Sequence, residues 1–194
     1  MTASVLLARH GMHAEVGHVL SGRSEIPLSA QGRAEAMRLS RRLLGIPLSA
    51  IHSSPRRRAL ETAQAVARHH DLPIRAVDAL DEIDFGAWSG HAFSDLDADP
   101  AWRRWNAARG SAATPSGETM AMATSRVLDH LQSIEEEGPV LCVSHCDIIR
   151  GVVAHVLGLD AGRLLSFDCD TGSLTTLALF DTGGRVATLN ERPR

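Results

Sequence analysis

The chain has 194 residues, 44% apolar and 22% charged, with a formal net charge of −3, the size and balance of one ordinary globular domain. All 20 basic residues are Arg, Lys and Tyr are absent, and His reaches 10; this rules out a Schiff-base lysine, a Walker A lysine and any phenolic acid or nucleophile. Guanidinium, imidazole and backbone N–H remain for handling anions, and the planar guanidinium fork is the best match to a phosphate.

A GC-rich coding bias accounts for the replacement of Lys by Arg. The net charge argues against a nucleic-acid partner of the basic-patch kind, and Arg56-Arg57-Arg58 and Arg103-Arg104 read as solvated helix faces. Cys142, Cys146 and Cys169 are odd in number and lie in apolar or strand-like stretches, which points to reduced thiols in a cytoplasmic protein. The apolar run Val5-Leu6-Leu7-Ala8 is too short for a signal peptide, and no segment has the length of a membrane span, so no membrane partner is expected.

Periodicity predicts short β-rich runs alternating with amphipathic helices, with no internal repeat. A buried strand over 3–8 leads into a Gly-, His- and Ser-rich loop. Ser29 caps a helix running to Leu44, closed by Gly45 and Pro47. A second strand occupies 50–53, and Pro55, at the first helical position, opens a helix to about His70. A third strand covers 74–77. A helical stretch over 93–108 is interrupted at Pro100, and a small-residue loop follows over 110–117. Met120, Val127, Leu131 and Ile134 give the next helix its buried stripe. The clearest buried strand spans 139–143, with a helix over 147–157 behind it. Runs at 174–180 and 186–189 close the chain as a hairpin around Thr182-Gly183-Gly184. The expectation is a single α/β domain over 1–194, in three layers, with a mostly parallel sheet flanked by helices and an antiparallel edge.

In such sheets the ligand crevice lies at the carboxyl ends of the strands. The first strand ends in Arg9-His10-Gly11, the second in Ser53-Ser54-Pro55-Arg56-Arg57-Arg58, and the central one in Ser144-His145-Cys146-Asp147. Each delivers His or Arg to one rim, and Glu82 stands in a loop-like segment between them. Imidazoles, guanidiniums and one carboxylate around a crevice make a kit for phosphoryl transfer through a histidine nucleophile. The demand for fixed cations is severe, because uncatalysed phosphate-monoester hydrolysis is slow enough that acceleration can reach about 10²¹-fold.

Five motifs carry a resemblance: Leu6-Leu7-Ala8-Arg9-His10-Gly11; Pro27-Leu28-Ser29-Ala30-Gln31-Gly32; Ser53-Ser54 with Arg58-Ala59 and Glu61-Thr62-Ala63; Glu82 with Phe85-Gly86-Ala87-Trp88-Ser89-Gly90; and Ser144-His145. In this order, from Leu6 to Leu159, they make the chain resemble the histidine phosphatase superfamily, with its phosphoglycerate-mutase-like fold. The resemblance implies that His10 attacks phosphorus and carries a phosphohistidine, which water hydrolyses. It implies that Arg9, Arg58 and His145 bind the equatorial oxygens. Glu82 matches the proton donor to the leaving oxygen, and then the base for water. No cofactor is implied. No metal is expected either, since neither His10-Gly11-Met12-His13 nor Cys142 to Cys146 has a partner pair at zinc spacing.

Met12, His13 and Gly17-His18 stand where many members have Glu-Thr and a following Asn, so the substitutes for that Asn's phosphate contact are Ser21 or the backbone at Gly22. Cys146 replaces the Gly that usually follows the second His. His13 and His18 are candidates for the substrate mouth. The insert-like region 93–119, with Trp102, Arg103, Arg104, Trp105 and Arg109, is where the non-phosphate part of a small-molecule phosphate monoester is expected; His18, Trp102 and Arg104 are the substrate-contact candidates. The Trp-bearing helix and the final strands are candidate homodimer surfaces.

Rival chemistries fail on the sequence. A cysteine phosphatase needs Cys, five residues, then Arg, and Arg150 comes too early after Cys146. Asp168-Cys169-Asp170 imitates an aspartyl-phosphate motif but lies near the C-terminus of a chain without Lys. A Gly-x-Ser-x-Gly elbow is absent. Within the resemblance, a mutase needs longer inserts, and a non-catalytic phospholigand-binding module has no need of both a nucleophile and a proton donor. Hydrolysis is the preferred expectation.

Overall fold

The computed structural model describes residues 3–180 and 183–194. Its strands are β1 (Ala3–Arg9), β2 (Ala50–Ser53), β3 (Ile74–Ala76), β4 (Val140–Ser144), β5 (Leu174–Phe180) and β6 (Gly183–Glu191). They form one sheet in the order β3-β2-β4-β1-β5-β6. The first four in that order run parallel, while β5 adds antiparallel to β1 and β6 antiparallel to β5. This is the expected mixed sheet with an antiparallel edge. The expected hairpin centre Thr182-Gly183-Gly184 includes Thr182, which lies outside the described residues.

The helices are α1 (Ala30–Leu43), α2 (Arg57–Ala67), α3 (Phe93–Leu96), α4 (Pro100–Ala107), α5 (Met120–Gln132) and α6 (Cys146–Val156). Strand alternation sorts them onto two faces, because successive side chains leave a strand on opposite sides. Leu6 and Ala8 of β1 and Leu141 and Val143 of β4 pack with Leu39 and Leu43 of α1 and Ala59, Ala63 and Val66 of α2. Val5, Leu7, Val140 and Cys142 pack on the other face with Val127 and Leu131 of α5 and Ile149 and Val153 of α6. Continuous apolar runs are what a strand buried on both faces requires.

Several boundaries differ from expectation for local reasons. Pro55 lies ahead of α2, whose N-cap is Arg56 in an extended conformation. The Ser54 hydroxyl accepts the Arg56 N–H at 3.2 Å and delays the first helical turn. The 93–108 stretch is two helices: Asp99 accepts from the Ala101 N–H and starts α4 with Pro100 at its first turn. In α5 the buried stripe is Met120, Ala123, Val127 and Leu131, and Ile134 follows the helix end as a partly buried neighbour of the core. α6 begins at Cys146, which places the thiol in the first turn.

Candidate active site

The parallel register of β1 and β4 pairs Arg9 with Ser144, and the His10 N–H donates to the Ser144 carbonyl at 3.0 Å. His10 and His145 therefore emerge side by side, with ring centroids 5.1 Å apart. β2 ends on the other side of β4, and the Ser54 N–H donates to the Val143 carbonyl. Three motifs far apart in sequence thus meet at one rim because three strands end together.

The chain after His10 is pinned against the start of α1. A Cβ on Gly11 would come within 2.4 Å of the Gly32 carbonyl oxygen, so this contact admits no side chain. The Ser29 N–H donates to the Met12 carbonyl, the Met12 N–H to Glu35 Oε2, and the Gly11 N–H to Thr62 Oγ1 at 3.1 Å. Thr62 Oγ1 in turn donates to the Arg58 carbonyl at 2.8 Å, linking the nucleophile loop to α2.

Hydrogen-bond logic fixes the tautomers of both buried imidazoles. His10 Nδ1 lies 2.8 Å from the Gly11 carbonyl oxygen, which can only accept, so Nδ1 carries the proton. His10 Nε2 accepts from Arg58 Nε at 3.2 Å, so the lone pair is on Nε2 and is held by the guanidinium. Burial, then Arg58 and Arg9, hold the His10 pKa well below its ordinary value, which leaves it a neutral nucleophile at physiological pH. In His145, Nδ1 accepts from Arg58 Nη2 at 3.1 Å, so Nε2 carries the proton and donates to Ser54 Oγ at 2.8 Å. Ser54 Oγ donates onward to Asp81 Oδ1 at 3.2 Å. Burial again comes first, ahead of the nearby cations, in lowering the His145 pKa.

Arg58 is 2% exposed and uses every arm of its guanidinium. Beyond the two imidazoles it donates to the Ser24 carbonyl at 2.8 Å and to the Gly22 carbonyl. Burial lowers its pKa, with Glu82 and Asp81 opposing, and a guanidinium starts so far above neutrality that it remains charged. Arg9 donates from Nη1 to the Cys169 carbonyl at 2.6 Å, while its Nε is buried without a protein partner.

Glu82 is buried, and its carboxyl pKa is pushed up to about 8 by burial, Asp147 and Cys146. Its segment is clamped from behind. The Glu82 carbonyl accepts from Arg23 Nε at 2.9 Å and Arg126 Nη2 at 3.1 Å, and both guanidiniums also bind Glu118. The neighbouring loop closes at Gly86, where φ is +55° and a Cβ would meet the Pro115 carbonyl oxygen at 1.8 Å.

One cleft of about 220 Å³ is lined by Arg9, His10, Ser21, Gly22, Arg58, Glu82 and Trp102. His145 stands behind this wall, fully buried. Ser21 donates its hydroxyl to Glu15 Oε2 at 2.8 Å, and the Gly22 carbonyl accepts from Arg58, so of the two only the Gly22 backbone N–H is left to face an anion. His13 lines the cleft, its pKa lowered to about 4 by burial, Arg58 and Arg9.

Two expected contacts fall outside. His18 is exposed, its backbone carbonyl holding the Phe93 N–H. Arg104 is exposed because α4 turns Trp102 and Trp105 inward three residues apart and leaves the positions between them to solvent. Arg109 and Arg150 line the cleft instead. Arg109 stacks 4.3 Å above Trp105 and pairs with Asp147 at 2.9 Å, and Arg150 Nε is buried without a protein partner. Arg56 is not a solvated arginine either, since its Nε sits 3.0 Å from Asp81 Oδ2.

The family model of the histidine phosphatase superfamily, branch 1, matches residues 5–192. The chain belongs to the histidine phosphatase superfamily. Among its relatives, phosphoserine phosphatase 1 of Hydrogenobacter thermophilus is 29% identical over 168 residues, covering 84% of this chain and 80% of the relative. The adenosylcobalamin/alpha-ribazole phosphatase of Escherichia coli is 27% identical over 192 residues, covering 96% and 95%. The solved structure of Bacillus stearothermophilus YhfR superposes with a TM-score of 0.91 at 30% identity, covering 97% of each chain. The expected phosphoglycerate-mutase-like fold is therefore the fold found, and the named relatives of this histidine phosphatase are hydrolases of phosphate esters.

Sequence reasoning missed Ser54 and Asp81 as partners of His145, and Glu118, Arg23 and Arg126 as the clamp behind Glu82. The only prior signal was position: Ser54 stands in a quoted motif, and Asp81 adjoins Glu82.

Proposed function

We propose that the protein hydrolyses small phosphate monoesters through a phosphohistidine on His10. The observation that carries this reading is the pairing of His10, its Nδ1–H tied to Gly11 and its Nε2 lone pair held by Arg58 until phosphate takes over the guanidinium, with the buried Glu82 on the same cleft, whose carboxyl pKa is pushed up to about 8. In the first step the Nε2–P bond forms and the bond from phosphorus to the leaving oxygen breaks, while Glu82 gives its proton to that oxygen. In the second, the Glu82 carboxylate takes a proton from water, the water oxygen bonds to phosphorus, and the Nε2–P bond breaks. Arg9, Arg58 and His145 neutralise the equatorial oxygens.

His13, Trp102, Arg109 and Arg150 surround the position left for the rest of the substrate, an arrangement that favours a small, polar or anionic alcohol portion. The relatives' substrates, phosphoserine and alpha-ribazole phosphate, belong in the first panel tested. No described helix is long and apolar enough to cross a membrane; the three free cysteines are the support for a reducing, cytoplasmic setting. The test is turnover of a phosphomonoester panel by wild type and His10→Ala, with samples quenched in alkaline detergent and assayed for protein-bound phosphate that is stable to alkali and released by acid. Phosphate release and a trapped phosphoenzyme are expected in wild type alone; full activity in His10→Ala overturns the reading.

A further inference from the structure

The sheet carries a second group of imidazole and thiol side chains, none of which lines the catalytic cleft. β2 and β4 pair in parallel with His52 beside Cys142, so both side chains leave the sheet on the face covered by α5. His130 reaches them from the last turn of that helix. His52 Nδ1, His130 Nε2 and Cys142 Sγ then offer donor atoms all within 4.8 Å of one another.

The geometry points to a binding site for one soft divalent cation of the zinc class, held by His52, His130 and Cys142. His52 Nδ1 and His130 Nε2 are 3.3 Å apart. Zinc–nitrogen bonds of about 2.0–2.1 Å in a tetrahedron give a nitrogen–nitrogen edge of about 3.3 Å. Sulfur at about 2.3 Å from the metal needs an edge of about 3.6 Å to each nitrogen, so the thiol has to close by about 1.2 Å at most. Two imidazoles and a thiolate are the donor set that zinc selects over magnesium or calcium.

The surroundings suit the role. His52 turns its other nitrogen, Nε2, toward Glu136 Oε1 at 3.7 Å. A carboxylate behind a ligating histidine fixes its tautomer, here leaving the Nδ1 lone pair toward the metal position. In the metal-free protein His130 Nε2–H donates to that lone pair; on binding, His130 carries its proton on Nδ1. Neither imidazole releases a proton on binding, since His52 already has its lone pair on Nδ1 and His130 only moves its proton from Nε2 to Nδ1. Cys142, pushed up to about 12 by burial and Glu136, is the one ligand that must lose a proton, and binding releases it to solvent as the sulfur–metal bond forms. A divalent ion with one thiolate is left with a single positive charge, which faces Glu136; exposed Arg75 is the opposing cation. His130 and Glu136 are half-buried, so the cluster is nearest solvent on that side, where a water would supply the fourth ligand. Ligand spacing along the chain could not reveal the cluster, because its members come from β2, α5 and β4.

The test is titration of the whole, chelator-stripped protein with Co²⁺ and then Zn²⁺, beside Cys142→Val, His130→Gln, Glu136→Gln and Cys146→Ser. One Co²⁺ per chain is expected, with the intense visible bands of a tetrahedral site, a thiolate-to-cobalt charge-transfer band, and displacement by Zn²⁺. Cys142→Val should abolish the charge-transfer band and keep phosphatase activity. His130→Gln should weaken binding by more than about 100-fold and Glu136→Gln by about tenfold. A pale octahedral spectrum overturns the proposal. So does a band that survives Cys142→Val and disappears in Cys146→Ser, which puts the ion in the catalytic cleft.

Discussion

Arg58 Nε stands 3.2 Å from His10 Nε2, so the guanidinium that would grip the phosphate already orients the nucleophile's lone pair in the free protein. Arg58→Ala should lower kcat by about 10²–10³-fold, the loss typical of removing one donor from developing oxyanion charge. Arg58→Lys should recover little, because a point ammonium cannot serve His10, His145, Ser24 and Gly22 together as the fork does. Steady-state kinetics decide it; a loss smaller than about tenfold would leave Arg58 a structural residue.

The path from His145 through Ser54 to Asp81 would act in the reaction by favouring a positive charge on His145 as the phosphoryl group transfers. A protonated imidazole donates from both nitrogens, and a carboxylate at the far end of the Ser54 hydroxyl favours that form. Asp81→Asn should therefore weaken binding of vanadate, which resembles the transferring phosphoryl group, more than binding of phosphate, with kcat down by about tenfold. Equal weakening of both anions would show that Asp81 supports the cleft without acting through His145.

Glu82 sets the alkaline limb. With its pKa pushed up to about 8, the proton needed by the leaving oxygen is present at neutral pH and is lost as pH rises through about 8, so phosphoryl transfer should fall there. Glu82→Gln should be slow and lack that limb. Stability moves in the same direction. The folded pKa lies above the ordinary 4.5, so the native state binds more protons than the unfolded chain between about 4.5 and about 8, and the Glu82 contribution becomes more unfavourable as pH rises across that window. The Tm of Glu82→Gln should exceed that of wild type by a margin that grows from pH 5 toward pH 8. A margin independent of pH would mean that Glu82 is ionised in the folded state.

These relationships were unequally legible in the sequence. β1 and β4 announce themselves as apolar runs, and the residues at their ends face the crevice because parallel strands end together; Arg9, His10 and His145 follow from that alone. Arg58 is readable only through motif order, since helical periodicity gives no reason for an arginine 2% exposed. Ser54 and Asp81 are 27 positions apart, and their pairing exists only once β2 has joined the sheet. Arg104 looked like a substrate contact beside two tryptophans, but burying both Trp102 and Trp105 turns it outward. Arg109 lies beyond the end of α4, where periodicity says nothing, and its stacking on Trp105 is purely tertiary.

Glu118 binds Arg23 and Arg126, the two guanidiniums that hold the Glu82 carbonyl, and accepts the Asp84 N–H at 3.0 Å. It touches no cleft atom, so its effect must pass through the placement of Glu82. Glu118→Gln should lower kcat by about tenfold with little change in KM, and shift the alkaline limb as Glu82 relaxes. A change confined to KM would argue that the loop positions substrate instead of Glu82.

Cys146 sits in the first turn of α6 on the cleft wall, its thiol brought down to about 7 chiefly by a hydrogen bond with Cys169, with Arg9 and Arg150 adding to the pull. Cys142 is held up at about 12 by burial, and the same hydrogen bond raises Cys169. Because the thiolate is the nucleophile, iodoacetamide at pH 7 should label Cys146 well ahead of the other two, with a rate that climbs as pH rises through about 7. The adduct would occupy the cleft beside Arg9, so labelling and loss of activity should run in parallel, inorganic phosphate should slow both, and Cys146→Ser should resist inactivation. Peptide mapping that finds Cys142 or Cys169 modified first, or activity that survives complete labelling of Cys146, would remove this thiol from the cleft wall.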